Sequence, residues 1–108
     1  MLRRYPQPGR HARHPAEAVP AAVRAAVRRR DGGCVFSRLG IAHDCWGRLE
    51  LDHVRASGAL GRRSASEPAN LVLLCPAAHR EKTLHGRLWR PILLAWIDRA
   101  GEAGDDRG

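Results

Sequence analysis

The run Leu49-Glu50-Leu51-Asp52-His53-Val54 constrains the fold more than any other stretch of the chain. Leu49 and Leu51 alternate with Glu50 and Asp52, the period-2 pattern of a half-buried strand, and a turn-forming Ser57-Gly58 follows soon after. A second strand is predicted at Asn70-Leu71-Val72-Leu73-Leu74-Cys75, which is short and apolar. Helical segments flank the two strands, and together these elements predict an α+β fold. The first strand ends in an adjacent carboxylate and imidazole. A carboxylate holds hard cations and an imidazole takes a proton from water, so Asp52-His53 suits hydrolysis. Adjacent residues of a regular strand point to opposite faces, so both can serve one site only if the strand twists or ends there.

Before these strands, Val19, Val23 and Val27 recur every four residues within a predicted helix over 15–30. Arg24 and Arg28 lie on another face, and Arg28-Arg29-Arg30 suits the negative end of the helix dipole. Asp31-Gly32-Gly33 stops the helix, a glycine supplying the left-handed cap. Cys34-Val35-Phe36 reads as a short strand, and residues 37–48 as a loop holding Cys45 and Trp46. The connection over 55–69 is rich in Gly, Ser and Arg and carries Arg62 and Arg63. After Cys75, Pro76 opens a helix to about His85 that carries His79 and Lys82, ended by Gly86. Pro91 is expected to open a last helix over 92–100, with Ile92, Trp96 and Ile97 inward and Gly101 as its stop. Residues 1–14 read as a flexible basic arm, 15–100 as the single folded domain and 101–108 as a disordered tail.

A chain of 108 residues supports one small core, to which a bound metal would add stability. The 19 Lys+Arg against 11 Asp+Glu give a net charge of +8, and Lys82 is the one lysine among them. Arginine's planar fork fits phosphate oxygens, so DNA is the expected partner. Arg24, Arg28, Arg62, Arg63 and Lys82 are the expected contacts, with affinity falling in salt by a slope of about −0.9 per phosphate neutralised. No apolar run approaches 18 residues and no signal peptide is seen, so a cytoplasmic setting is expected. There, three cysteines read as metal ligands or buried thiols before disulfides, although a Cys34–Cys45 bridge is an alternative.

Three blocks stand in order: Leu51-Asp52-His53, Asn70 through Cys75, and His79-Arg80-Glu81-Lys82-Thr83. With the lead-in Arg30-Asp31-Gly32-Gly33-Cys34 and the later Trp89-Arg90-Pro91, this resembles the HNH endonuclease family, over roughly residues 24–97. The Trp89-Arg90-Pro91 segment further resembles that of small HNH proteins found in actinobacteria and their phages. The resemblance implies a ββα-metal core and hydrolysis of DNA phosphodiester bonds. It implies that His53 is the general base, that Asp52 and His79 hold Mg²⁺ or a similar divalent ion (Mn²⁺ or Zn²⁺), and that Asn70 fixes the loop that orients His53. It further implies nicking of low sequence specificity, with service beside a phage terminase as one role. Alternatives are a zinc-ribbon-like module that binds DNA without cutting it, and a non-catalytic partner of a packaging complex.

Many such proteins carry two CxxC pairs around a structural zinc. Here Ser37 and Ala78 stand at the completing positions. Cys34, Cys45 and Cys75 are left as candidate zinc ligands, with His43 the nearest candidate for a fourth. A structural zinc and three small buried thiols remain open alternatives.

Overall fold

The computed structural model describes residues 19–55 and 66–106. The expected basic arm over 1–14, and Arg62 and Arg63, lie outside the described residues. The elements are α1 (Ala21–Asp31), α2 (Val35–Arg38), β1 (Glu50–His53), a 3₁₀ turn at Pro68–Asn70, β2 (Leu71–Leu74), α3 (Pro76–Leu84) and α4 (Gly86–Asp106). The fold is α+β.

The sheet has two antiparallel strands, with Glu50 opposite Leu74, Leu51 opposite Leu73, Asp52 opposite Val72 and His53 opposite Leu71. All four residues of β2 are buried, and the strand's own period explains why. Leu71 and Leu73 pack with Val19 and Val27 under α1. Val72 and Leu74 point the other way, into a cluster with Val35, Phe36, Ala78, Leu93 and Ile97 from α2, α3 and α4. Helices cover both faces of the sheet, which is why β2 is apolar throughout.

The open edge of β2 is closed by the end of α1. Asp31 is fully buried, and its Oδ2 accepts from Leu73 N at 2.9 Å. Trp96 Nε1 donates to Oδ1 from α4 at 2.9 Å, and Arg30 Nε donates to the same oxygen at 2.7 Å. The Arg30 guanidinium also reaches the carbonyls of Pro68, at 2.7 Å, and Leu71. Backbone groups that an edge strand would leave unpaired are thereby satisfied from one dipeptide. Gly32 sits at φ 68, and its N–H closes α1 on Arg28 O at 2.9 Å. That is the expected left-handed cap.

Three elements differ from the sequence expectation, α4 at both of its ends. α1 begins at Ala21 rather than near residue 15, because Pro20 crowds Val19 out of the helical region. Val19 still joins the apolar stripe from outside the helix. The expected strand at 34–36 is instead the helical turn α2, capped by Cys34, which buries Val35 and Phe36 together. A three-residue apolar run has no period that separates a strand from a helical turn. α4 starts at Gly86, immediately past His85, and carries Pro91 inside it. Leu88 N and Trp89 N both donate to His85 O, at 3.0 and 3.1 Å, and so establish the helix before the proline is reached. Gly101 does not stop α4, which runs through Asp106 where a disordered tail was expected. A helical glycine costs only roughly 0.5–1 kcal/mol against alanine, and Leu93 and Ile97 anchor the preceding turns.

Candidate active site and metal centre

Asp52 and His53 end β1, and both line one cavity of about 380 Å³ together with His79, Lys82 and Arg90. The strand ends at His53, so the alternation that would separate the two side chains stops there. α3 faces the strand and brings His79 over it, with Nε2 3.1 Å from Asp52 Oδ1 and Nδ1 2.6 Å from Glu50 Oε1. Glu50 and Asp52 are two apart on a strand and share a face, which puts both carboxylates on one imidazole. The Asp52 hydrogen bond, with Glu50 assisting and burial opposing, raises the His79 pKa to about 9.

Lys82 is one turn beyond His79 and is buried. Its Nζ donates to His53 O at 2.9 Å and lies 3.1 Å from Asp52 Oδ2. The second distance is an ion pair without hydrogen-bond alignment, so Asp52 Oδ2 has no hydrogen-bond partner among the described residues, although it is buried. A buried carboxylate oxygen lacking a donor, beside an imidazole nitrogen, is a donor set that fits a divalent cation.

His53 is half-buried, with Nε2 3.1 Å from Ser66 Oγ. Burial lowers its pKa, Asp52 opposes that and Lys82 adds to it, so the ring is neutral at neutral pH. Asn70 pins the chain just after it. Its Oδ1 accepts from Arg55 N at 2.9 Å, its Nδ2 donates to Arg55 O at 3.1 Å, and its own carbonyl accepts from Val54 N at 2.9 Å. Three bonds from one residue thus hold the exit of β1.

On the other side of Cys75, Cys34, His43, Cys45 and Cys75 present ligand atoms that all lie within 4.8 Å of one another. All three cysteines are free thiols, so the alternative disulfide is not formed. Tetrahedral ligands about 2.3 Å from a zinc sit about 3.8 Å apart, so the cluster needs only a small contraction to hold such an ion. His43 is oriented for this: Nδ1 is 2.7 Å from Ile41 O, which leaves Nε2, 3.6 Å from Cys34 Sγ, as the ligand atom. Backbone N–H groups support the sulfurs, Cys75 N to Cys34 Sγ at 3.4 Å and Ala78 N to Cys75 Sγ at 3.5 Å. Ser37 donates to Cys45 Sγ at 3.2 Å. Burial opposes ionisation of Cys34, but the N–H groups of Cys75 and Ser37 and the His43 ring outweigh it and bring the thiol to about 7. The cluster could hold a metal ion such as zinc.

The arginines expected to meet DNA are placed differently from one another. Arg28 is exposed on α1, whereas Arg24 is half-buried and donates to Val19 O at 3.1 Å. Lys82 points into the cavity rather than outward. Two contributors escaped the sequence reading. Glu50 was legible in principle from its i, i+2 relation to Asp52, but nothing in the order of residues joins Arg30-Asp31 to β2. No helix among the described residues is long and apolar enough to cross a membrane. Comparison of the chain with family models, curated proteins and solved structures gave no match.

Proposed function

We propose that the chain is a metal-dependent DNA endonuclease of the HNH kind, with β1, β2 and α3 as its ββα-metal core. The observation that carries this reading is the convergence of Asp52, His53 and His79 on one cavity, with His79 Nε2 3.1 Å from Asp52 Oδ1. Asp52 and His79 would hold Mg²⁺ or a similar divalent ion. Such an ion, when bound, neutralises charge developing on the phosphate and helps the 3′ oxygen leave.

The remaining work belongs to side chains of this chain. His53 is kept neutral by burial and takes the proton of the attacking water. Its Nε2 already accommodates a hydroxyl, that of Ser66, at 3.1 Å. Asn70 holds Arg55 and Val54 and so fixes the ring of His53. Lys82 ties the His53 carbonyl to Asp52, with its Nζ 2.9 Å from the one and 3.1 Å from Oδ2 of the other. Arg28 and the net charge of +8 supply the attraction to DNA phosphates. A zinc held by Cys34, His43, Cys45 and Cys75 would join α2, its following loop and the start of α3, as a structural centre distinct from the cavity.

The test is relaxation of supercoiled plasmid with Mg²⁺, Mn²⁺ or EDTA, comparing the parent with His53→Ala. Metal-dependent nicking that the variant loses supports the reading. A folded, DNA-binding parent that fails to cut under every metal condition refutes it. That result would favour the second reading, a zinc-stabilised DNA-binding module or an accessory partner of a packaging complex, for which the Cys/His cluster is the supporting observation.

A further inference from the structure

Arg90 is the one charged side chain lining the cavity that takes no part in the steps proposed above. It stands on α4 four residues after Gly86, and both line the cavity with Asp52, His53 and His79. Helical side chains tilt toward the N-terminus of their helix, so a residue at i+4 lies over residue i. Arg90 does this closely: a Cβ built on Gly86 would lie 2.7 Å from a terminal guanidinium nitrogen. Any side chain at position 86 would therefore move the guanidinium from its place.

The charges of the cavity differ in how they are matched. Lys82 is 3.1 Å from Asp52 Oδ2, and His79 is 3.1 Å from Asp52 Oδ1 and 2.6 Å from Glu50. Arg90, by contrast, makes no hydrogen bond or ion pair among the described residues. A guanidinium held at a cavity wall without a carboxylate is a site for an oxyanion, which it meets through two parallel N–H groups.

We infer that Arg90 grips the phosphate on which the cavity acts, and that position 86 is glycine so that the guanidinium can lie there. This rests on the endonuclease reading for its consequence in catalysis, but not for the anion site itself. The bound phosphate would lie between Arg90 and the Asp52–His79 pair, with His53 on the same wall. The fork stabilises the added negative charge as water attacks, so its loss acts on the rate more than on affinity for DNA.

The experiment compares the parent with Arg90→Ala, Arg90→Lys and Gly86→Ala in three measurements. The first is titration with inorganic phosphate, followed by NMR at the Arg90 Nε–H and the His53 ring, and it needs neither metal nor turnover. The second is single-turnover nicking, with duplex affinity measured alongside. The third is the melting temperature. Phosphate is expected to shift both resonances in the parent, and the His53 response is expected to vanish in Arg90→Ala.

Nicking by Arg90→Ala is expected to fall about 100-fold, the effect of removing one donor to a developing oxyanion, with duplex affinity little changed. Arg90→Lys is expected to recover part of the rate, since it restores charge without the fork. Gly86→Ala is expected to slow nicking without lowering the melting temperature, because its methyl meets only the far end of a flexible side chain and alanine is the better helix former. A merely structural role for Arg90 would not produce that pairing of lost rate with retained stability.

The inference is overturned if Arg90→Ala binds phosphate or nicks as the parent does, or if the parent shows no phosphate response. Phosphate bound through Arg90 in a parent that never nicks would uphold the anion site and refute the endonuclease reading. Nicking that is indifferent to Arg90 would do the reverse.

Discussion

Replacing Asp31 by asparagine keeps the side chain's size and removes its charge where four donors meet two oxygens. Arg30 Nε and Trp96 Nε1 donate to Oδ1 at 2.7 and 2.9 Å, and Leu73 N and a terminal Arg30 nitrogen donate to Oδ2 at 2.9 and 3.2 Å. An asparagine offers one oxygen and one NH₂ group. However the amide turns, two donors then face a third. Asp31 is fully buried and the Arg30 side chain is only 11% exposed, so the guanidinium would keep its carbonyl partners but lose its counter-ion. Breaking a buried pair from one side costs about 3–5 kcal/mol. A domain of this size has roughly 5–15 kcal/mol in total, and each kcal/mol moves its melting point by about 4–8 °C. Asp31→Asn is therefore expected to melt at least about 12 °C lower. Urea and thermal unfolding followed by circular dichroism read this directly. A loss under about 1 kcal/mol would show that the buried carboxylate is not what joins α1 and α4 to the edge of β2.

Two further outcomes follow from the titratable clusters. Stripping metal with a strong zinc chelator should lower the melting temperature, and zinc should restore it, by about 2.7 kcal/mol at a hundredfold excess over its dissociation constant. His43→Ala should weaken zinc uptake and Ser37→Ala much less; a chain that takes up no zinc and melts unchanged would refute the ligand set. In metal-free protein, His79 with its pKa raised to about 9 contributes stability that is complete below its ordinary value and lost as pH rises toward 9. The ring is a third exposed, so screening reduces the effect to about 1 kcal/mol. Urea midpoints from pH 6 to 9 should decline without metal and not with saturating Mg²⁺, since the ion and the proton compete for one nitrogen.

Elements whose residues speak through a period or a cap were legible in the sequence. Leu49 to Asp52 alternate as a strand, Gly32 caps α1, and Pro76 opens α3. The same local order put Asp52-His53 at a strand end and His79 on the following helix, and the structure brings the three together. What was not legible depends on partners remote in the chain. Val35 and Phe36 are helical because Trp89 and His43 close around the Phe36 ring, at centroid distances of 4.7 and 5.4 Å. Pro91 sits within α4 because His85 O secures the turn before it. Arg30 looked like one of three arginines matched to a helix dipole, yet its fork serves β2 across about forty residues of chain. His43, by contrast, was the nearest candidate for a fourth ligand in the sequence, and the loop brings its Nε2 to 3.6 Å from Cys34 Sγ.

The most direct test of the central claim is the dependence of single-turnover nicking on Mn²⁺ concentration in the parent and in His79→Ala. If Asp52 and His79 together hold the catalytic ion, the parent saturates and the variant needs a concentration about 10–100-fold higher, or does not reach saturation. An unchanged metal dependence in a folded His79→Ala protein would contradict the claim and remove α3 from the active site.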